Sequence, residues 1–138
     1  MKPIRLLVVL ALTGCAAIPQ GDYQSINMWV HENITPSTVD GEEFQTASET
    51  LERGAGDCED FSYLFLWLAH EMYGVYGNMI VYRTERDTLH AIAEIGLVYY
   101  DPTWGVHYTT RPTDIVFEWG YIETTWYMWV FENDLQTE

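Results

Sequence analysis

The stretch CEDFSYLFLWLAHEMY, residues 58–73, constrains the fold more than any other part of the chain. Cys58, Phe61, Phe65, Leu68 and Met72 recur at helical spacing, while Tyr63, Leu64, Leu66 and Trp67 fill much of the remaining circumference. A helix that is apolar nearly all round has to be covered on most sides, so it is the central, buried element of its domain. Its ends are marked as well. Asp57 is a natural N-cap with Asp60 three positions on, and Gly74 lies just past the last turn. This helix places Cys58 in its first turn.

The neighbouring segments supply what covers it. Thr46-Ala47-Ser48-Glu49 fits a capping box, opening a short helix to about Arg53 that Gly54 ends. Upstream, Asp22 to Asn33 carries Ile26, Trp29 and Val30 at helical spacing, and TPSTVDGEE, with Pro36 and Gly41, is a loop. From Met79 the pattern turns to β: NMIVYR, HAIAEI, LVYYD, DIVFEW and YIETTWYMWVF are rich in β-branched and aromatic residues. Helices first and strands later predict an α+β domain, its buried helix packed on an antiparallel sheet. A chain of 138 residues suits one such domain, here residues 22–138.

The first residues read differently. Lys2 and Arg5 precede an apolar run from Leu6 to Leu12, which is far shorter than the roughly 20 residues of a membrane span. Leu12-Thr13-Gly14-Cys15 follows and resembles a bacterial lipobox, in which the cysteine is lipidated. Residues 1–14 are then a lipoprotein signal peptide, Cys15 the lipidated residue and residues 15–21 a tether reaching roughly 20 Å from the membrane. Ala16 after Cys15 resembles the sorting signal for the outer membrane of a Gram-negative host, so the domain is expected on the periplasmic side or the cell surface. Loss of the leader leaves four arginines against 21 acids, a net charge of about −17. No basic patch remains to meet phosphates, which excludes a nucleic-acid partner.

Cys58 is the only other cysteine, and a lone thiol in an exported protein is either a reactive group or an inert buried one. Asp57, Glu59 and Asp60 surround it and disfavour a thiolate, whereas a helix N-terminus favours one and offers free N–H groups to an oxyanion. A partner is available in His90. If Ile95-Gly96 forms a two-residue turn, residue 90 pairs with Asp101; if Gly96-Leu97 forms it, residue 92 does. Both registers put His90 and Asp101 on one face, where the acid can orient the imidazole. Ala91, Ala93, Val98 and Tyr100 are left to face the central helix. His31, His70 and His107 have no comparable setting.

GDCEDF followed by a buried helix, then HA, then DPTW resembles the transglutaminase-like superfamily of papain-type cysteine enzymes. ETLERGAGDCEDFS is similar in particular to the bacterial transglutaminase-like cysteine peptidases. The resemblance covers about Phe44 to Trp104 and implies a small papain-like fold with Cys58 as nucleophile, His90 as base and Asp101 as orienting acid. It departs from the pattern ahead of the helix, where Phe44-Gln45-Thr46-Ala47 stands in place of Trp-x-Thr-Pro. The resemblance also implies a possible calcium ion on the acids flanking the cysteine, here Asp57 and Glu59, though Asp57 suits a cap equally well. Gln45 and Trp29 are the candidate side chains for a second oxyanion donor.

Charge arithmetic favours this arrangement. Two carboxylates about 7 Å from the sulfur each oppose a thiolate by roughly 1.2 kcal/mol, while an imidazolium about 4 Å away favours it by roughly 4 kcal/mol. The expected activity is that of a lipid-anchored cysteine peptidase or amide hydrolase acting on a protein or peptide. A protein-glutamine acyltransferase, or a non-catalytic lipoprotein that binds a partner, is the alternative.

Overall fold

The computed structural model describes residues 22–37 and 44–121. Helix α1 (Tyr23–Asn33) starts on Asp22, whose carboxylate accepts the Ser25 N–H, and ends where Ile34 turns extended into the two-residue strand β1 (Thr35–Pro36). Helix α2 (Ala47–Arg53) carries the expected capping box. Thr46 accepts from the Glu49 N–H at 3.2 Å and the Glu49 carboxylate accepts from the Thr46 N–H at 2.7 Å. After Gly54, strand β2 (Ala55–Gly56) runs parallel to β1, pairing Thr35 with Ala55 and Pro36 with Gly56. This parallel pair is an addition to the all-antiparallel expectation. It fixes the chain entering helix α3 (Cys58–Tyr73), which Asp57 and Gly74 cap.

Phe61, Leu64, Phe65, Leu66 and Leu68 of α3 are fully or almost fully buried, each worth roughly 1.5–3 kcal/mol of transfer free energy. They pack against a five-stranded antiparallel sheet of β3 (Asn78–Arg83), β4 (Leu89–Ile95), β5 (Val98–Asp101), β6 (Val106–Tyr108) and β7 (Ile115–Gly120), in the order β6-β5-β4-β3-β7. The face toward α3 is built from Met79, Val81, Ala91, Ala93 and Tyr100, with Phe65 stacked on Tyr100 at 5.0 Å. Ile80, Ile92 and Tyr99 form a smaller cluster on the opposite face.

Of the two hairpin registers, the structure has the second. Ile95 pairs with Val98, Glu94 with Tyr99 and Ala93 with Tyr100, so Gly96-Leu97 is the turn. Gly96 has a φ of 65° and Leu97 does not have a positive φ, as a type II′ turn requires. Continuing the register puts Ile92 opposite Asp101 and His90 one diagonal away. Strand β6 has no counterpart in the sequence reading. The proposed leader, and YIETTWYMWVF beyond Tyr121, lie outside the described residues.

Candidate active site

Cys58 opens α3 as a half-buried free thiol. Asp57 Oδ1 accepts the N–H groups of Glu59 at 3.0 Å and Asp60 at 3.2 Å, and Asp57 O accepts that of Phe61 at 3.0 Å. The Asp57 N–H itself goes to Asp60 Oδ2 at 3.0 Å. From Asp57 to Phe61, the Cys58 N–H is therefore the donor left without a partner among the described residues. It belongs to the residue that carries the sulfur.

At the N-terminal end of β4, His90 comes within reach of this first turn. Its Nε2 bonds Asp101 Oδ2 at 2.8 Å, and Cys58 lies near enough to raise the pKa of the ring, whose Nδ1 is left free of Asp101. The His90 side chain is 15% exposed and that of Asp101 only 2%. Burial works against an imidazolium here. The hydrogen bonds to Asp101 and Cys58, and the charges of both, outweigh it and push the His90 pKa up to about 9. The histidine is thus cationic at neutral pH, which is the counter-charge a nucleophilic thiolate needs.

The acids around Cys58 have separate tasks. Asp60, 3% exposed, is a clamp: its carboxylate accepts the Gln45 N–H at 2.9 Å and Gln45 Nε2 at 2.6 Å as well as the Asp57 N–H. Burial pushes the Asp60 carboxyl up, with these hydrogen bonds opposing it. Gln45 Nε2 also donates to Ala55 O at 3.3 Å, so both amide protons are spent and Gln45 is not an oxyanion donor. Trp29 packs on the core, half-buried. Among the described residues Glu59 has no such partner. Burial, then the charges of Asp57 and Asp60, push its pKa up to about 7.

That uncompensated repulsion bears on calcium. Asp57 and Glu59 offer hard carboxylate oxygens on one turn, the chemistry calcium takes, and a cation there would relieve Glu59. Among the described residues no group of three or more His, Cys, Asp or Glu is placed to hold a metal ion, so these two acids would need backbone oxygens or water to complete a shell.

The other histidines tie elements together away from this site, two through backbone carbonyls and one through a side chain. His31 Nδ1 meets Thr103 O at 2.9 Å, His107 Nδ1 meets Gln24 Oε1 at 2.9 Å, and His70 Nδ1 meets Val75 O at 3.3 Å. His31 thereby ties α1 to the loop after Asp101. Sequence reasoning missed Tyr82, the direct cross-strand partner of His90, whose ring stands edge-on to the imidazole at 5.8 Å and 84°. A register for the β3–β4 hairpin, of the kind worked out for β4–β5, would have found it.

No family model and no curated protein matches this sequence. Solved structures match in shape. A candidate cysteine protease from Cytophaga hutchinsonii superposes with a TM-score of 0.54 at 21% identity, over 72% of this chain and 37% of its own. Calcium-bound LapG from Legionella pneumophila gives 0.53 at 16% identity, over 67% of this chain and 59% of its own. The fold is papain-like. At these identities the likeness is one of fold, and this chain spans well under two thirds of either structure's length.

Proposed function

We propose that this chain is an exported, lipid-anchored cysteine peptidase or amide hydrolase working through an acyl-enzyme. One observation carries the reading: a half-buried imidazole bonded to Asp101 at 2.8 Å lies near enough to Cys58, at the start of α3, for the two to interact electrostatically. The Cys58 sulfur adds to an amide carbonyl carbon, and the oxygen gains negative charge beside the free Cys58 N–H. The C–N bond breaks as His90 passes its Nδ1 proton to the leaving amine. Neutral His90 then takes a proton from water, whose oxygen attacks the thioester. Cys58 departs as thiolate, His90 regains its charge, and the acyl group leaves as an acid. Asp101 holds the ring in one orientation throughout.

Calcium belongs to the same proposal, with Asp57 and Glu59 as its ligands; when bound it supplies positive charge that offsets the acids beside the thiol. Lipidation of Cys15 would hold the domain near the membrane, so its substrates would be envelope proteins or peptides. An amine in place of water would make the same acyl-enzyme a protein-glutamine acyltransferase. The test is to incubate envelope proteins with the wild-type domain and with Cys58→Ala, then map new N-termini and isopeptide bonds by mass spectrometry. New termini with the wild type alone are expected. Isopeptide bonds without new termini would indicate the transferase, and no covalent change would leave a binding protein.

A further inference from the structure

Asp101 presents a puzzle of burial. Alternation along β4 and β5 sets Ala91, Ala93 and Tyr100 toward α3, and so places His90 and Asp101 on the sheet's other face. The Asp101 side chain there is only 2% exposed. Its Oδ1 is buried without a hydrogen-bond partner among the described residues. Side chains that share its face of the sheet are placed to cover it.

The register identifies them. Tyr82 pairs directly with His90, and Tyr108 pairs with Tyr99, which lies on the Asp101 face two residues before it. Four strands thus bring Tyr82, His90, Asp101 and Tyr108 to one surface. The β3–β7 ladder shifts register between Val81 and Tyr82, an irregularity of the kind that re-aims a side chain beside a site. The Tyr82 ring meets the imidazole edge-on at 5.8 Å. Burial first, and then the charge of Asp101, raises the pKa of both phenols, so both rings lie in its field; Tyr82 also responds to Tyr108 and Cys58.

We propose that Tyr82 and Tyr108 are positioning residues, an aromatic cover that keeps water off the hydrogen bond between His90 and Asp101. The inference rests on the hydrolase reading for its purpose but not for its geometry. A hydrogen bond to a charged partner strengthens when water is excluded, because no solvent dipole competes for the donor or the acceptor. The rings supply the exclusion with their faces and edges, and their hydroxyls are dispensable. Among the described residues, the groups that interact with the imidazole are Asp101, Cys58 and Tyr82, and Tyr108 lies in the field of Asp101.

The test reads the shared proton. In wild type below pH 8, proton NMR should show a low-field His90 Nε2–H resonance whose exchange with water is slow. Tyr82→Phe should keep it, whereas Tyr82→Ala should speed its exchange by about tenfold or more. Tyr108→Ala, at a site 45% exposed and so tolerant of truncation, should do the same and guards against misfolding of the Tyr82 variant. Unchanged exchange in Tyr108→Ala, equal loss in Tyr82→Phe, or no slow resonance in wild type would each overturn the proposal. Because the resonance is read without substrate, absence of hydrolysis leaves this result standing on its own.

Discussion

His90 and Glu59 carry opposite electrostatic signs. Burial disfavours the His90 cation, but Asp101 and Cys58 prevail and push it from the usual 6.5 up to about 9. A histidine raised by folding stabilises the native state in full below its unfolded pKa, and the contribution is lost as pH climbs through the folded value. The urea midpoint of wild type is expected to fall between pH 6.5 and 9 relative to that of His90→Ala. Parallel curves for the two proteins would contradict the pairing. Glu59 shifts in the same direction for the opposite reason, its charged form being disfavoured: burial, Asp57 and Asp60 raise it from 4.5 to about 7, so the native state again loses stability as pH rises across that window. Glu59→Gln should be more stable than wild type at pH 8 and equal to it at pH 4. Added calcium should narrow the difference at pH 8, and a gap untouched by calcium would remove the metal from this site.

At the scale of elements, the first turn of α3 depends on a close approach that Gly56 permits. A Cβ on Gly56 would stand 2.7 Å from both Cβ and Oδ2 of Asp60, the carboxylate that ties Gln45 to the helix. Gly56→Ala is expected to cost about 1–3 kcal/mol, read as a lowered melting temperature. A wild-type melt would show that Asp60 is not held there. Local chemistry made much of this frame legible. The caps at Asp57, Thr46 and Gly74, the strand Asn78–Arg83 and the Gly96 turn all follow from residue preferences over a few positions. Features set by distant partners were not legible. The pairing of Thr35 and Pro36 with Ala55 and Gly56 involves too few residues to show a period, and Val106–Tyr108 is short and exposed on all three residues. Gln45 read as an oxyanion donor because nothing local revealed that Asp60, fifteen residues on, claims its amide.

Across the whole molecule, one sheet serves two purposes. Its inner face packs the buried helix that presents Cys58, and its outer face carries His90 and Asp101 together with Tyr82 and Tyr108. Cys58 and His90 interact at the helix's first turn, so the proposed chemistry depends on the α3–β4 contact as much as on any side chain. The formal net charge of −15 makes the imidazolium at this junction decisive, since few other cations are available to balance a thiolate. The most direct measurement is the rate of iodoacetamide labelling of Cys58 at pH 6.5 in wild type and in His90→Ala, with both shown folded by circular dichroism. We expect wild type to label at least about tenfold faster, because the adjacent imidazolium supplies a counter-charge to the anionic sulfur that reacts. Equal rates in the two proteins would contradict the pairing of Cys58 with His90.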